Sequence, residues 1–560
     1  MKAMIVKGRM DLGSMHRNTV DAVKKNERLL FKILKANRSS EYGRRYGFDE
    51  IKTVEEYRRR VPVTTFDDYE GYVRRMIDGN EDNLITSLPL VGYAQSSGSV
   101  GARKFVPITQ PEVNVYTRYT VTRMLALADR YQREHFGHGM KLGRGMFTCP
   151  SFDDVLPNGL PCSNIADVAA KQLGFIYPYI LNQPFSKYFN ETEADSKYLN
   201  FRFGLEDKNT TYIFGIFFKE FIGLVQYLEK NWRTIVDDIE KGTVSELSRA
   251  TPEALEKLLP VLRPNPGRAA ELRAEFEKGF DETLFKRIWP HMSAVCGIGT
   301  STFAPFAKKL RNYTEGVPYD FSIYGASEGL IAAVDALESP KQLLLVDSCF
   351  YEFIPMEDGE ADGGERFLGL GELEVGKEYE IVITNQSGLY RYKCGDVIRV
   401  VDYMNECPYV QFSFRKGQLL NMTGEKTTEE HMAAAVKAIE REAGCTITDW
   451  AAYNRLEDEP YYYVLLAETN PPVDLAPYSG FAHETLMRVN PRYAYFFQQG
   501  AYAPIVIRNQ LPGTHAAWAE RKHGRGAAEY QVKPVRILDT EEKEEFFLSR
   551  VADAGVAAGV

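Results

Sequence analysis

Ser96-Ser97-Gly98-Ser99-Val100-Gly101-Ala102-Arg103-Lys104-Phe105-Val106-Pro107-Ile108 joins a serine- and glycine-rich loop to an apolar run. Glycines at 98 and 101 let backbone N–H groups turn toward an anion, Ser96, Ser97 and Ser99 add hydroxyl donors, and Lys104 adds charge. Such a loop can hold the β- and γ-phosphates of ATP. Residues 85–93 lead into it, and residues 104–108 read as a strand after it. A loop followed by a strand fits a hairpin, not a strand–loop–helix nucleotide fold. Taken alone, a Ser/Gly loop is more often a solvent-exposed turn.

Two later segments supply complementary chemistry. Tyr324-Gly325-Ala326-Ser327-Glu328-Gly329 follows a strand expected at Asp320–Tyr324. There the Tyr324 ring can stack on adenine, Ser327 can donate to an α-phosphate, and Glu328 is a hard oxygen ligand suited to Mg²⁺. Tyr390-Arg391-Tyr392-Lys393-Cys394-Gly395-Asp396 ends in a carboxylate able to accept from both hydroxyls of a ribose. Arg415, nineteen residues further on, can support the ribose or the phosphates. Each segment alone also reads as an ordinary turn with a charge. Phosphate loop, metal carboxylate and ribose aspartate in one chain are the complementary parts of an ATP site.

Composition sets the outer bounds. A chain of 560 residues exceeds one ordinary core, so two or more domains are expected. Its 44% apolar and 26% charged residues are those of a soluble globular protein, and 12% aromatic residues leave material for an apolar pocket. A net charge of −9 argues against a sequence-independent grip on nucleic acid. Seven scattered cysteines fit reduced thiols in a cytoplasmic protein better than a disulfide framework. The N-terminal residues carry no long apolar run and no 18-residue apolar stretch occurs, so neither a signal peptide nor a membrane span is expected.

Along the chain, apolar residues at helical spacing predict a helix over Val20–Leu34, ended by a turn around Tyr42-Gly43. Residues 250–287 are helical in composition, with breaks at Pro264 and Pro266. Met292–Gly299 reads as a buried strand, and residues 343–400 are strand-rich with acidic turns at 357–365. A boundary is expected near Arg415–Gln418. Beyond it, Thr427 or Thr428 caps a helix running to about Arg441 with Gly444 as its stop. Strands are expected at 461–467, 504–508 and 531–538. Gly143-Arg144-Gly145 is too short to signal a dinucleotide fold, and His135 and His138 lack further ligands for a metal site.

With these segments in order, the chain resembles the Gretchen Hagen 3 acyl acid–amido synthetases, a branch of the adenylate-forming superfamily that also holds acyl-CoA ligases and luciferases. Asn231-Trp232 followed by Asp237-Asp238-Ile239-Glu240-Lys241-Gly242 is similar to that branch's Trp…Asp-Ile…Gly stretch. Glu425-Lys426-Thr427-Thr428-Glu429 resembles its segment after the hinge, and Tyr530-Gln531-Val532-Lys533-Pro534-Val535-Arg536 its C-terminal stretch. The likeness spans residues 15–538. Departures are Val100 where Ser or Thr is usual, Cys394 for an aliphatic residue, and Val532 and Val535 within the last stretch.

The resemblance implies an α/β plus α+β architecture. A large N-terminal adenylate-forming domain with a β-barrel and mixed sheets covers residues 1–416, a hinge 417–420, and a small mobile C-terminal α+β domain 421–560. It implies a reaction in which ATP adenylates a carboxylic acid and an amino acid's amine then takes the acyl group, giving an amide, AMP and pyrophosphate. By the same likeness Ser97, Gly98 and Ser99 hold pyrophosphate, Ser327 touches the α-phosphate, Glu328 binds Mg²⁺, Tyr324 packs on adenine, and Asp396 and Arg415 fix the ribose. Lys533, with Lys426 as second choice, assists adenylation. Candidates for the acyl pocket are Arg118, Arg123, Tyr212 and Phe214. The chain is expected to act as a monomer in the cytoplasm, without nucleic acid or membrane. An acyl-CoA ligase using the same adenylate, and a nucleotide- or acyl-adenylate-binding protein without turnover, are the competing readings.

Overall fold

The computed structural model describes residues 1–97, 103–148, 154–163, 165, 168, 177–182, 196–300, 304–356, 366–415, 420–423, 425, 427–456, 460–469, 471–523, 535–538 and 541–552. Two units emerge: one holds Met1–Ser97 and Arg103–Ser413, the other the chain from Phe414 onward. The division falls inside the strand Cys407–Arg415.

In the first unit the phosphate-loop segment is flanked as the sequence predicts. Strand Leu90–Ser97 pairs antiparallel with Arg103–Thr109, the last pair being Ser97 with Arg103. Tyr93, Ala94, Val106 and Ile108 are buried. Pro161–Ser163 adds to the other edge in parallel, and Asp154–Val155 closes a four-stranded sheet.

A second sheet is parallel, in the order Gly145–Phe147, Tyr212–Phe217, Ala294–Ile298, Tyr319–Asp320. Its middle strands read as unbroken apolar runs, as parallel strands covered on both faces do. Tyr212, Ile213, Phe214, Ala294, Val295 and Cys296 are all buried. The long helix Phe218–Lys241 follows and stops at Gly242 with φ +70. A Cβ there would approach the Pro264 nitrogen to 2.4 Å, so the Asp-Ile…Gly stretch is a helix terminus fitted to its neighbour.

The single strand expected over Asp320–Tyr324 is two strands. Ser322 takes φ +61 and its N–H donates to Asp320 Oδ1 at 2.8 Å, breaking the extended run. Tyr319–Asp320 stays in the parallel sheet, and Ile323–Ala326 enters a third sheet. That sheet has seven strands, in the order Phe350–Pro355, Glu378–Thr384, Tyr392–Met404, Cys407–Arg415, Gln342–Leu344, Gly329–Ala333, Ile323–Ala326.

Helices begin where the capping chemistry allows. Ala22–Asn37 buries Leu29, Leu30, Ile33 and Leu34 on one face. The turn expected at Tyr42-Gly43 is a short helix, Glu41–Arg45, with Ser40 Oγ accepting from the Gly43 N–H. Pro266 starts a helix, Pro266–Phe276, because the first turn needs no N–H from it.

In the second unit Thr428, not Thr427, is the N-cap of the helix Glu429–Ala443, and Gly444 ends it at φ +61. The sequence reading missed a strand, Ile447–Arg455, whose Asp449, Asn454 and paired alanines carry little β-propensity. It pairs antiparallel with Tyr462–Thr469, on which Val506–Asn509 lies parallel. Ala451, Tyr453, Val464, Leu466, Trp518 and Phe547 form the core beneath.

Candidate active site

Strands Ile323–Ala326 and Gly329–Ala333 form a tight hairpin, with Ala326 opposite Gly329 and Ser327-Glu328 at the turn. Gly325 is exposed and Ala326 and Ser327 are half-buried, whereas the flanking Tyr324 and Glu328 are buried. The hairpin therefore presents bare backbone outward while its two functional side chains point in.

The Tyr324 hydroxyl donates to Asp396 Oδ2 at 2.7 Å, and the Tyr392 hydroxyl donates to Glu328 Oε1 at 3.2 Å. Two hydrogen bonds thus join the second and third sequence segments. Their strands stand four places apart in the seven-stranded sheet. Neighbouring strands are about 4.8 Å apart, so four steps across a flat sheet would span about 19 Å, more than these side chains can bridge. The sheet therefore curls strongly, in the manner of a barrel, and gathers Tyr324, Glu328, Tyr392 and Asp396 on its inner face.

Glu328 Oε2 is buried and has no hydrogen-bond partner among the described residues. A bare carboxylate oxygen inside a protein is costly unless something completes it. A divalent cation does so, and Mg²⁺ is commonly held by one or two carboxylates with substrate phosphates supplying further oxygens. The residue fits the metal the sequence assigned to it. Tyr324 has one flank occupied by Phe412, edge-on at 5.6 Å.

The rest of the third segment is scaffold. Tyr390 is fully buried, donates to the Ile85 carbonyl at 2.8 Å and stacks on Tyr42 at 4.9 Å. Arg391 pairs with Glu352 at 2.9 Å while donating to the carbonyls of Arg58 and Val61.

Three residues of this neighbourhood escaped sequence reading. Tyr392 lies within the third segment, where residue type alone assigns it no role. Asn385 donates from Nδ2 to the Glu328 carbonyl at 2.7 Å. Glu112, on the helix that follows the phosphate-loop hairpin, accepts from the Gln386 N–H at 3.1 Å through Oε1, and its Oε2 is buried without a partner among the described residues. Burial pushes the Glu112 carboxyl up to about 7. No local pattern marks Asn385 or Glu112, because what singles them out is a distant partner: Glu328 lies 57 positions from Asn385, and Gln386 lies 274 positions from Glu112.

Other candidates are displaced. Arg123 does not face a substrate: its guanidinium is buried in a two-pronged pair with Asp320 at 3.0–3.2 Å and donates to the carbonyls of Tyr119 and Val334. All its donors are consumed, so the assignment to a substrate carboxylate is corrected to a structural one. Arg118 pairs with Asp347 at 2.8 Å and remains partly exposed. Tyr212 is buried and donates to the Ile180 carbonyl at 2.6 Å, and Phe214 stacks on Phe147 at 5.5 Å. Both belong to the core of the parallel sheet, which corrects their placement in an acyl pocket. Lys104 holds its ammonium over the Phe66 ring at 5.4 Å. Ser96 and Ser97 end their strand opposite Lys104 and Arg103. Gly98, Ser99, Lys426, Lys533 and the hinge 417–419 lie outside the described residues, and Arg415 is described only as the last residue of its strand.

Three family models match the chain in order. The GH3 family N-terminal domain matches residues 11–319, the GH3 family central domain 342–415 and the GH3 family C-terminal domain 429–542. The chain belongs to the GH3 family. Among curated members, it is 28% identical to indole-3-acetic acid-amido synthetase GH3.8 of Oryza sativa subsp. indica, over 96% of this chain and 91% of that one. It is 29% identical to jasmonoyl-L-amino acid synthetase GH3.5 of Oryza sativa subsp. japonica, over 80% and 81% of the two chains. Among solved structures, GH3.15 acyl acid amido synthetase superposes with a TM-score of 0.64 at 22% identity, covering 97% of this chain and 96% of that one, and shows the shared fold. The Tyr324–Glu328 hairpin falls between the N-terminal and central family domains, and Tyr392 and Asp396 lie within the central one, so the two hydrogen bonds described above tie the connecting segment to the central domain.

Proposed function

We infer that this GH3 family member is an acyl acid–amido synthetase that adenylates a small carboxylic acid and transfers its acyl group to an amino acid. The observation that carries the reading is the buried quartet Tyr324, Glu328, Tyr392 and Asp396, with one Glu328 oxygen left without a partner among the described residues, in a GH3 family chain. A carboxylate is a poor electrophile with no leaving group, and AMP is a good one. Splitting the hard step into two easier ones follows the logic of covalent catalysis.

In the first half-reaction a substrate carboxylate oxygen forms a bond to the ATP α-phosphorus while the bond to pyrophosphate breaks. In the second, the neutral amine nitrogen bonds to the acyl carbon, the bond from that carbon to the AMP oxygen breaks with its electrons leaving on AMP, and the nitrogen releases a proton to solvent. Asp396, oriented by the Tyr324 hydroxyl, accepts from the ribose. The 98–101 loop and Ser327 hold phosphate oxygens, Arg415 supports the ribose, and Lys533 or Lys426 assists adenylation. Glu328 would hold Mg²⁺, which neutralises phosphate charge when bound. The small C-terminal domain, beyond a hinge at 417–420, rotates so that one site serves both half-reactions. The chain acts as a monomer in the cytoplasm. No described helix is long and apolar enough to cross a membrane, and the six described cysteines are free thiols.

Incubation with ATP, Mg²⁺, a carboxylic acid library and either amino acids or CoA, read by mass spectrometry, tests the activity. Amide conjugates are expected from the amino acid arm. Thioesters alone would assign the acyl-CoA ligase reaction, and ATP–pyrophosphate exchange absent with every acid would leave only a binding protein. Glu328→Ala is expected to lower exchange on the order of 100-fold or more at saturating Mg²⁺.

A further inference from the structure

The turn at residues 385–389 touches the second and third nucleotide segments and the base of the hairpin that carries the first. Asn385 Oδ1 accepts from the N–H groups of Ser387 and Leu389 at 3.0 and 2.9 Å, which shapes the turn, and Asn385 Nδ2 reaches the Glu328 carbonyl. The turn leads directly into Tyr390–Asp396. Its other side is clasped by the base of the phosphate-loop hairpin. The Thr109 N–H donates to Ser387 Oγ at 3.1 Å, Thr109 Oγ1 donates to the Gln386 carbonyl at 3.2 Å, and Glu112 accepts from the Gln386 N–H. Thr109, Glu112, Asn385 and Ser387 are all at most 3% exposed.

We propose that Glu112 is a positioning residue for metal-assisted nucleotide binding: by fixing the 385–387 turn it sets the backbone that carries Glu328 relative to the phosphate-loop hairpin. This deepens the functional reading and rests on Glu328 being the metal carboxylate. The physical case is one of redundancy and isolation. Gln386 has a buried N–H that water cannot serve, and Glu112 Oε1 is the acceptor that satisfies it. Without that acceptor the turn keeps its internal bonds but loses its tie to the hairpin helix. Held then by the two Thr109 hydrogen bonds, the turn carries Asn385, and with it the Glu328 carbonyl, in a looser position. Outer partners of a metal ligand typically tune metal affinity 10- to 100-fold, and one placed two contacts away belongs near the lower figure.

The test is isothermal titration of the full-length chain with ATP, once with Mn²⁺ and once with EDTA. The ratio of the two dissociation constants measures what the metal adds. Glu112→Ala is expected to reduce that ratio about tenfold while leaving metal-free ATP affinity unchanged. Glu112→Gln, which keeps an acceptor oxygen, recovers most of it. A purely structural Glu112 would move both affinities together, and that result overturns the proposal. So does an unchanged ratio in Glu112→Ala when Glu328→Gln lowers it. An unchanged ratio in Glu328→Gln itself would instead show that the metal assignment has failed. Should Glu112→Ala not fold, Ser387→Ala removes the Thr109 clasp on the same turn. A smaller shift in the same direction supports the proposal, and no shift overturns it.

Discussion

The Tyr324 hydroxyl donates to the Asp396 carboxylate at 2.7 Å, although their strands stand at the seventh and third places of one sheet. The bond aims a buried carboxylate and stabilises its charge, so it bears on nucleotide binding. Tyr324→Phe keeps the ring and removes the donor. It leaves Asp396 short of one hydrogen bond, a loss of about 1–3 kcal/mol. The expected result is an ATP KM raised roughly tenfold in pyrophosphate exchange, with the KM for the acid unchanged. Equal changes in both constants would place Tyr324 outside the nucleotide site.

Glu112 gives the protein a defined pH signature. Its carboxyl is raised by burial from the ordinary 4.5 to about 7. Between those values the native state holds a proton that the unfolded chain releases, so stability from this group is complete below 4.5 and falls as pH rises to about 7. The total is about 3 kcal/mol at 1.36 kcal/mol per unit. Cys349 and Tyr351, whose groups interact with it, are themselves pushed up by burial and stay neutral through the window. Thermal midpoints at pH 5 and pH 8 should therefore show the native protein losing ground to Glu112→Gln as pH rises. A difference that does not change with pH would refute the assignment.

Arg123 and Asp320 form a fully buried pair that holds the Tyr319–Asp320 strand end against the helix Val121–Phe136. Removing one partner strands the other charge. Arg123→Met is expected to destabilise by about 3–5 kcal/mol, and Arg123→Met with Asp320→Leu to recover much of the loss. Melting curves of the two variants decide it. A substrate role for Arg123 would instead appear as a raised acid KM in a stably folded single variant.

Gly417 lies within the assigned hinge. If the C-terminal domain rotates between half-reactions, Gly417→Pro should keep pyrophosphate exchange near its normal rate while amide formation drops at least tenfold. Parallel losses in the two assays would argue against rotation.

Local chemistry was readable in advance wherever it was local. The hairpin at Leu90–Thr109, a threonine cap at 427 or 428 and the Gly444 stop follow from residue types a few positions apart, and the structure chose Thr428. The reading failed where a distant partner or backbone strain decides. Ser322 at φ +61 splits one expected strand between two sheets, and Ile447–Arg455 becomes a strand because Tyr462–Thr469 offers it an edge.

Residue types alone carry the inventory: a serine–glycine hairpin loop, a carboxylate after a strand, and a glycine–aspartate end, in an order shared with one family. Residue type sets hydrogen-bonding capacity and charge without reference to the fold. Which of these groups meet depends on the folded chain. The curl of a seven-stranded sheet brings Tyr324 to Asp396 and Tyr392 to Glu328, while helix packing buries Arg123 against Asp320 and joins Glu112 to a turn 274 residues later. Burial then makes each meeting consequential, because a polar group cut off from water has only its protein neighbours to answer it.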